Sequence, residues 1–161
     1  FPKEALPSFS QISYDEYNAN REKYERLVKD GATVIIAPSL PGDYEVAGHK
    51  YTVTECGMSP LYCVSRDTGH RFTEGLKAND LTYLYDSKLD RLSPIINATF
   101  EGKDIDPIIK SGNISIGTDW HSVLAMGEIK YGSGSFIINQ LQIDDKTENP
   151  AVVKLINNIV K

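Results

Sequence analysis

Residues 33–37 read TVIIA, a run of apolar and mostly β-branched side chains at successive positions. A strand that is apolar at both parities is typical of a sheet covered on both faces, as in α/β proteins. Pro38 ends the run, because proline has no N–H to donate to a sheet. The stretch therefore predicts a central strand of an α/β sheet.

The residues before that strand predict a helix over 13–30. Ser13 and Glu16 form a capping-box pattern, and Gly31 stands where a left-handed helix cap is expected. The residues that recur at helical spacing are Tyr14, Tyr17, Tyr24 and Val28. A helix, a glycine and a buried strand make half of a βαβ unit. Only residues 5–7 are left to serve as its first strand, so we expect the chain to begin inside its fold or just at its edge.

The rest of the chain predicts strands and one more helix. Residues 40–100 hold short β-rich segments between turns, including a hairpin over 44–54. Strands at 123–130 and 136–143 around a Gly/Ser turn predict a second hairpin. The apolar spacing over 152–160 predicts a closing helix that begins near Pro150.

The fold class predicted from these elements is α/β. We expect a mixed, mostly parallel, flavodoxin-like sheet with flanking helices and a β-rich insertion over roughly 40–100. The 161 residues fit a single domain over 1–161, since domains commonly hold ~100–200 residues. We expect that domain to be a fragment of a larger chain.

Composition excludes several classes of protein. Seventeen Lys and Arg against 22 Asp and Glu give a net charge of -5, which argues against a nucleic-acid binder. The sequence has no apolar stretch of ~18 residues, so we expect no membrane partner. The first residues lack the apolar core of a signal peptide, and the compartment stays open.

Few residues suggest chemistry. Cys56 and Cys63 are not framed by glycines, as nucleophiles on a strand-to-helix turn usually are, and their disulfide state stays open. His49, His70 and His121 are isolated in the sequence, so we expect no metal site and no cofactor.

Aromatic side chains keep carbohydrate binding open. Trp120 and Tyr131 are candidates for stacking on sugar rings, and polar residues nearby would bind the sugar hydroxyls. The candidate binding residues are Trp120, His121, Tyr131, Asp67 and His70.

Several segments resemble one known group of proteins. Residues 28–36 (VKDGATVII), preceded by a helix, look like a stretch of class I glutamine-amidotransferase-like domains. Residues 64–70 (VSRDTGH) look like a motif found where such domains are attached to family 2 glycoside hydrolases and related β-galactosidase-like proteins. Residues 132–141 (GSGSFIINQL) and 149–151 (NPA), with the closing helix, resemble the end of the same domains.

The resemblance implies an amidotransferase-like fold in the C-terminal part of a larger carbohydrate-active enzyme. Such domains are usually degenerate and non-catalytic. This chain lacks the glycine-framed cysteine and the His-x-Glu pair of active amidotransferases. No catalytic residue is therefore carried over from the resemblance.

The leading hypothesis is a non-catalytic domain that serves packing or oligomerisation in a β-galactosidase-like glycoside hydrolase. Its expected partners are the missing N-terminal portion or catalytic domain of the same protein, or a second copy. One alternative is a carbohydrate-binding module that uses Trp120 and nearby tyrosines. The other is an independent hydrolase with a carboxylate or Cys63 site, so whether the chain is itself an enzyme stays open. An incomplete sheet would also expose strand edges, so we expect the isolated chain to associate.

Overall fold

A computed structural model describes residues 10–56, 63–64, 69–77, 79–82, 84–113, 121–144 and 146–161. The described helices are α1 (Tyr14–Ala19), α2 (Arg21–Lys29) and α3 (Pro150–Val160), and a 3₁₀ turn spans Arg71–Thr73. The described strands are β1 (Thr33–Ile36), β2 (Gly42–Val46), β3 (His49–Glu55), β4 (Cys63–Val64), β5 (Leu84–Asp86), β6 (Arg91–Ser93), β7 (Ala98–Gly102), β8 (Asp106–Asn113), β9 (His121–Tyr131) and β10 (Gly134–Asn139).

Eight of these strands form one mixed sheet. Its main path runs β1-β10-β9-β7-β3-β2, while β8 also pairs with β9 and carries β4. Strands β7 and β9 meet at the single register pair Phe100 and Leu124. Strands β5 and β6 form a separate two-stranded hairpin.

The predicted fold class is wrong. The chain is mostly β, with 39% strand and 23% helix, and its sheet is curled. Strands β1 and β10 pair in parallel, but every other described strand pair is antiparallel. A flavodoxin-like sheet instead joins parallel strands through helical crossovers. Here the chain passes through β2 to β9 between its two parallel strands, so the helix, glycine and strand pattern does not continue into further βαβ units.

The apolar run at β1 correctly predicts that this strand is buried on both faces. Its predicted position at the centre of the sheet is wrong. Ile35 packs in a cluster with Ile137 and with Leu155 of α3. Ile36 belongs to a second cluster that includes Tyr17 and Phe136. Both faces of β1 are therefore covered, yet β1 lies at the end of the main path rather than at its centre. A bridge from Ile12 to Ile36 covers its outer side.

The predicted helix over 13–30 is divided in two at Asn20. Ser13 caps α1 as expected, because its Oγ accepts the N–H of Glu16 at 3.1 Å. Asn20, at φ -126° and ψ 37°, leaves the helical region between α1 and α2. Gly31 follows α2 with φ +115°, a conformation that favours glycine.

Helix α1 covers the outer edge of β2 with two tyrosine hydroxyls. The Tyr14 hydroxyl donates to the carbonyl of Glu45 at 3.1 Å. The Tyr17 hydroxyl accepts the N–H of Ala47 at 3.0 Å and donates to Glu25 at 2.9 Å. These bonds pair main-chain groups that an edge strand would otherwise leave open.

Candidate functional site

A carboxylate, a histidine and a serine meet inside the fold, and we call them the Glu128 cluster (His70, Glu128 and Ser135). Strand β9 supplies Glu128, β10 supplies Ser135, and His70 precedes the 3₁₀ turn. One carboxylate oxygen of Glu128 lies 3.2 Å from Nε2 of His70, and the other accepts the Ser135 hydroxyl at 2.8 Å. The side chains of His70 and Glu128 are only 12% and 10% exposed.

The hydrogen bonds fix how protons are arranged in the Glu128 cluster. Nδ1 of His70 accepts the N–H of Phe72 at 3.2 Å, so Nε2 carries the ring proton and donates it to Glu128. Burial by itself would raise the pKa of Glu128. The hydrogen bonds from Ser135 and His70, with the positive charge of Lys130, outweigh burial and hold that pKa below its ordinary value.

The Glu128 cluster contains the residue types of a catalytic triad without its connectivity. A serine nucleophile must donate its proton to a lone pair of the imidazole. Ser135 donates to the carboxylate instead, and both nitrogens of His70 are already bonded to the protein. Asn158 of α3 also donates to the carbonyls of Phe72 and Glu74, both at 2.9 Å. The cluster therefore holds the 3₁₀ turn against the sheet.

The structure does not bring His70 and Tyr131 together. Tyr131 ends β9 three residues after Glu128, which places the two side chains on opposite faces of the strand. The Tyr131 ring packs against Phe136, with ring centroids 6.2 Å apart. His121 begins β9, where its main chain pairs with Asn113. The two remaining predicted residues, Asp67 and Trp120, lie outside the described residues.

Cys56 does not have the environment of a nucleophile. It follows β3 as a half-buried free thiol. Burial, and to a lesser extent the charge of Glu55, raises its pKa, which leaves less of the reactive thiolate. Cys63 lies in β4, and its side chain is outside the described part of the chain.

The β5–β6 hairpin carries exposed apolar side chains that the sequence analysis missed. Tyr85, Leu89 and Leu92 are 46%, 54% and 65% exposed, and we call them the hairpin patch. Tyr85 and Leu92 are cross-strand partners, so they share one face of the hairpin. The Tyr85 hydroxyl donates to Asp90 at 2.6 Å, which fixes the orientation of the ring. The available signal was two leucines inside the polar segment 86–93.

A buried ion pair attaches this hairpin to the rest of the domain. Nζ of Lys146 lies 2.6 Å from Oδ2 of Asp86, and both side chains are largely buried. The other Asp86 oxygen accepts the N–H groups of Lys88 and Leu89. The hydrogen bond from Lys146 is the main reason why the pKa of Asp86 lies below its ordinary value. The ion pair thus fixes the hairpin that carries the hairpin patch.

A groove of about 650 Å³ lies over β2, β3 and the end of β7, and three tyrosines contribute to its lining. The rings of Tyr44 and Tyr51 stack with centroids 5.6 Å apart. Tyr14 meets Tyr44 edge to face at 4.7 Å. The Tyr44 hydroxyl donates to the carbonyl of Leu40. Because these rings pack on one another, they stabilise the sheet edge.

Within the described ranges, no helix has both the length and the apolar character that crossing a membrane requires. The same ranges contain no group of three or more His, Cys, Asp or Glu residues arranged to hold a metal ion.

The chain matches no protein-family model and no curated protein.

Proposed function

We propose that the chain is a non-catalytic accessory domain of a larger carbohydrate-active enzyme, where it serves packing or oligomerisation. The Glu128 cluster carries the non-catalytic part of this proposal. Its serine and histidine both donate to one carboxylate, so His70 is not placed to take a proton from Ser135, and the carboxylate that accepts the Ser135 hydroxyl is a weak base because its pKa lies below the ordinary value. The type of parent enzyme, a β-galactosidase-like glycoside hydrolase, rests on the resemblance of short sequence segments alone.

The hairpin patch supports a role in association. Two leucines and a tyrosine are exposed close together on one small hairpin. Clustered exposed apolar side chains are typical of surfaces that contact another protein. The ion pair between Asp86 and Lys146 holds the hairpin in place. Little conformational freedom would therefore be lost when the hairpin associates with another protein.

An activity assay on the isolated chain tests the non-catalytic role. Purified chain is incubated with aryl glycosides and, separately, with glutamine, and product release is compared with buffer alone. We expect no turnover above buffer. We also expect Ser135→Ala and His70→Gln to change the temperature of thermal unfolding but not the rate of product release.

The matched control is Ser133→Ala, which removes an exposed turn serine two residues from Ser135. Turnover by the wild type that disappears in Ser135→Ala or His70→Gln, but persists in Ser133→Ala, would overturn the proposal. Circular dichroism of each variant separates a lost reaction from a lost fold.

A further inference from the structure

The outer edge of β6, beside the hairpin patch, is paired with no described strand. Within the described residues, β6 pairs with β5 and with no other strand. Arg91 and Leu92 are exposed, Leu92 to 65%. An uncovered strand edge presents main-chain groups that can pair with a strand from another chain.

The main-chain groups of Leu92 point toward this edge. Tyr85 and Leu92 oppose each other in the antiparallel hairpin, and the Tyr85 carbonyl accepts a hydrogen bond from the Asn149 side chain at 3.3 Å. In antiparallel pairs, both residues turn their N–H and C=O groups either toward each other or away from each other. Since Tyr85 turns its carbonyl to Asn149, the N–H and C=O of Leu92 face away from β5.

The sequence of β6 is self-complementary about Leu92. If two copies pair in antiparallel fashion about a two-fold axis at Leu92, each Leu92 exchanges both main-chain hydrogen bonds with its counterpart. Arg91 then faces Ser93 of the other copy, so no like charges oppose each other. A register centred on Arg91 would place two arginines opposite each other.

We propose that a second copy of this chain docks on the edge of β6, which makes one four-stranded sheet from two hairpins. On one face of that sheet, the two Tyr85 rings and the two Leu92 side chains form a continuous apolar row. This inference rests on the proposed oligomerisation role and names its partner. The strands hold three residues each, so for the isolated chain we expect a dissociation constant on the order of 0.1–1 mM.

Sedimentation equilibrium of the chain from about 10 µM to about 1 mM tests the inference. We expect the mean mass to rise toward that of a dimer. Leu92→Pro removes the edge N–H without removing a bond to β5, and proline is tolerated on edge strands. We expect it to weaken association at least tenfold. Leu92→Lys places two like charges opposite each other across the contact, so we expect it to weaken association as well. This variant replaces Leu92→Pro in the test if the proline variant does not fold.

The matched control is Leu40→Lys, at a leucine that is 81% exposed outside the hairpin, and we expect it to associate like the wild type. A wild type that stays monomeric at about 1 mM, or that binds only another protein, would overturn the inference. Undiminished association of folded Leu92→Pro and Leu92→Lys, or equal loss in Leu40→Lys, would also overturn it. The non-catalytic role is judged separately by the activity assay, so the two failures can be told apart.

Discussion

The β2–β3 and β5–β6 hairpins differ in whether a described element covers their outer edges. The outer edge of β2 is covered by α1, whose tyrosine hydroxyls bond the main chain of Glu45 and Ala47. The apolar residues Val46 and Val53 of this hairpin are buried. On the β5–β6 hairpin, by contrast, Leu92 is 65% exposed and no described strand pairs with the outer edge of β6.

This difference separates an edge used for stability from an edge available to a partner. Both hairpins are firmly attached, the first through α1 and the second through Asp86 and Lys146. Weak attachment therefore does not explain the exposure of β6. A strand that is held in place and left uncovered is suited to pair with another chain.

The largest expected effect lies at the covered hairpin. Tyr17 is fully buried, and its ring packs against Phe136 with centroids 5.4 Å apart. Tyr17→Ala is expected to lower the free energy of unfolding by about 3–5 kcal/mol. Tyr17→Phe keeps the ring but leaves the N–H of Ala47 without its acceptor, so we expect about 1–3 kcal/mol. Urea unfolding at neutral pH measures both, and an unchanged Tyr17→Phe would show that the hydroxyl does not secure the edge.

The stability of each hairpin should also depend on a titratable side chain, Asp86 in β5–β6 and Tyr17 beside β2–β3. Because Lys146 lowers the pKa of Asp86 below its ordinary 3.8, the carboxylate stabilises the fold above that pH. This contribution is lost as pH falls below 3.8. Hydrogen exchange is expected to show that protection of β5–β6 falls in acid before that of β2–β3. Asp86→Asn should remove this pH dependence, and simultaneous loss at both hairpins would contradict it.

In alkali the β2–β3 hairpin should lose stability through Tyr17. Burial is the main cause that raises the pKa of Tyr17 from 10.0 to about 12. A raised tyrosine pKa stabilises the fold below pH 10, and this contribution disappears as pH rises toward 12. The β2–β3 hairpin should therefore lose protection from hydrogen exchange as pH rises from 10 toward 12, and Tyr17→Phe, which lacks the ionisable hydroxyl, supplies the matched control.

Local patterns in the sequence predict individual elements better than they predict the sheet. The cap at Ser13, the hairpin over 44–54 and the closing helix at Pro150 all depend on near neighbours, and the structure contains each of them. The sequence analysis does not predict strand β8. Its pairing with β9 and the path from β7 to β2 depend on contacts between distant residues, which spacing alone does not specify.

The Gly/Ser turn shows the same limit at closer range. The sequence predicts a four-residue turn, but β10 begins at Gly134 and leaves only Gly132 and Ser133 in the turn. A Cβ at Gly134 would lie 2.1 Å from the carbonyl oxygen of Ala32. Gly134 is therefore required by close packing against the segment after α2, which the local sequence does not reveal.

The candidate site was predictable only in part. The motif over 64–70 points to His70, but no local pattern points to its partner Glu128, because the two lie 58 residues apart and come together only in the folded chain. The hairpin patch was missed because Leu89 and Leu92 lie among charged residues. Alternation predicts which side chains share a face, whereas exposure depends on whether another element covers that face.

The smallest expected effect concerns the stability of the open hairpin itself. Leu92 is 65% exposed, so Leu92→Ala should change the free energy of unfolding by less than about 0.5 kcal/mol when measured on dilute monomer. Val53→Ala, at a residue 2% exposed in the covered hairpin, should cost about 2 kcal/mol. Urea unfolding of both variants at low protein concentration makes the comparison. A cost at Leu92 equal to that at Val53 would mean that Leu92 stabilises its own domain. The small cost expected instead, together with weakened association of the same variant, would assign this side chain to the contact between copies.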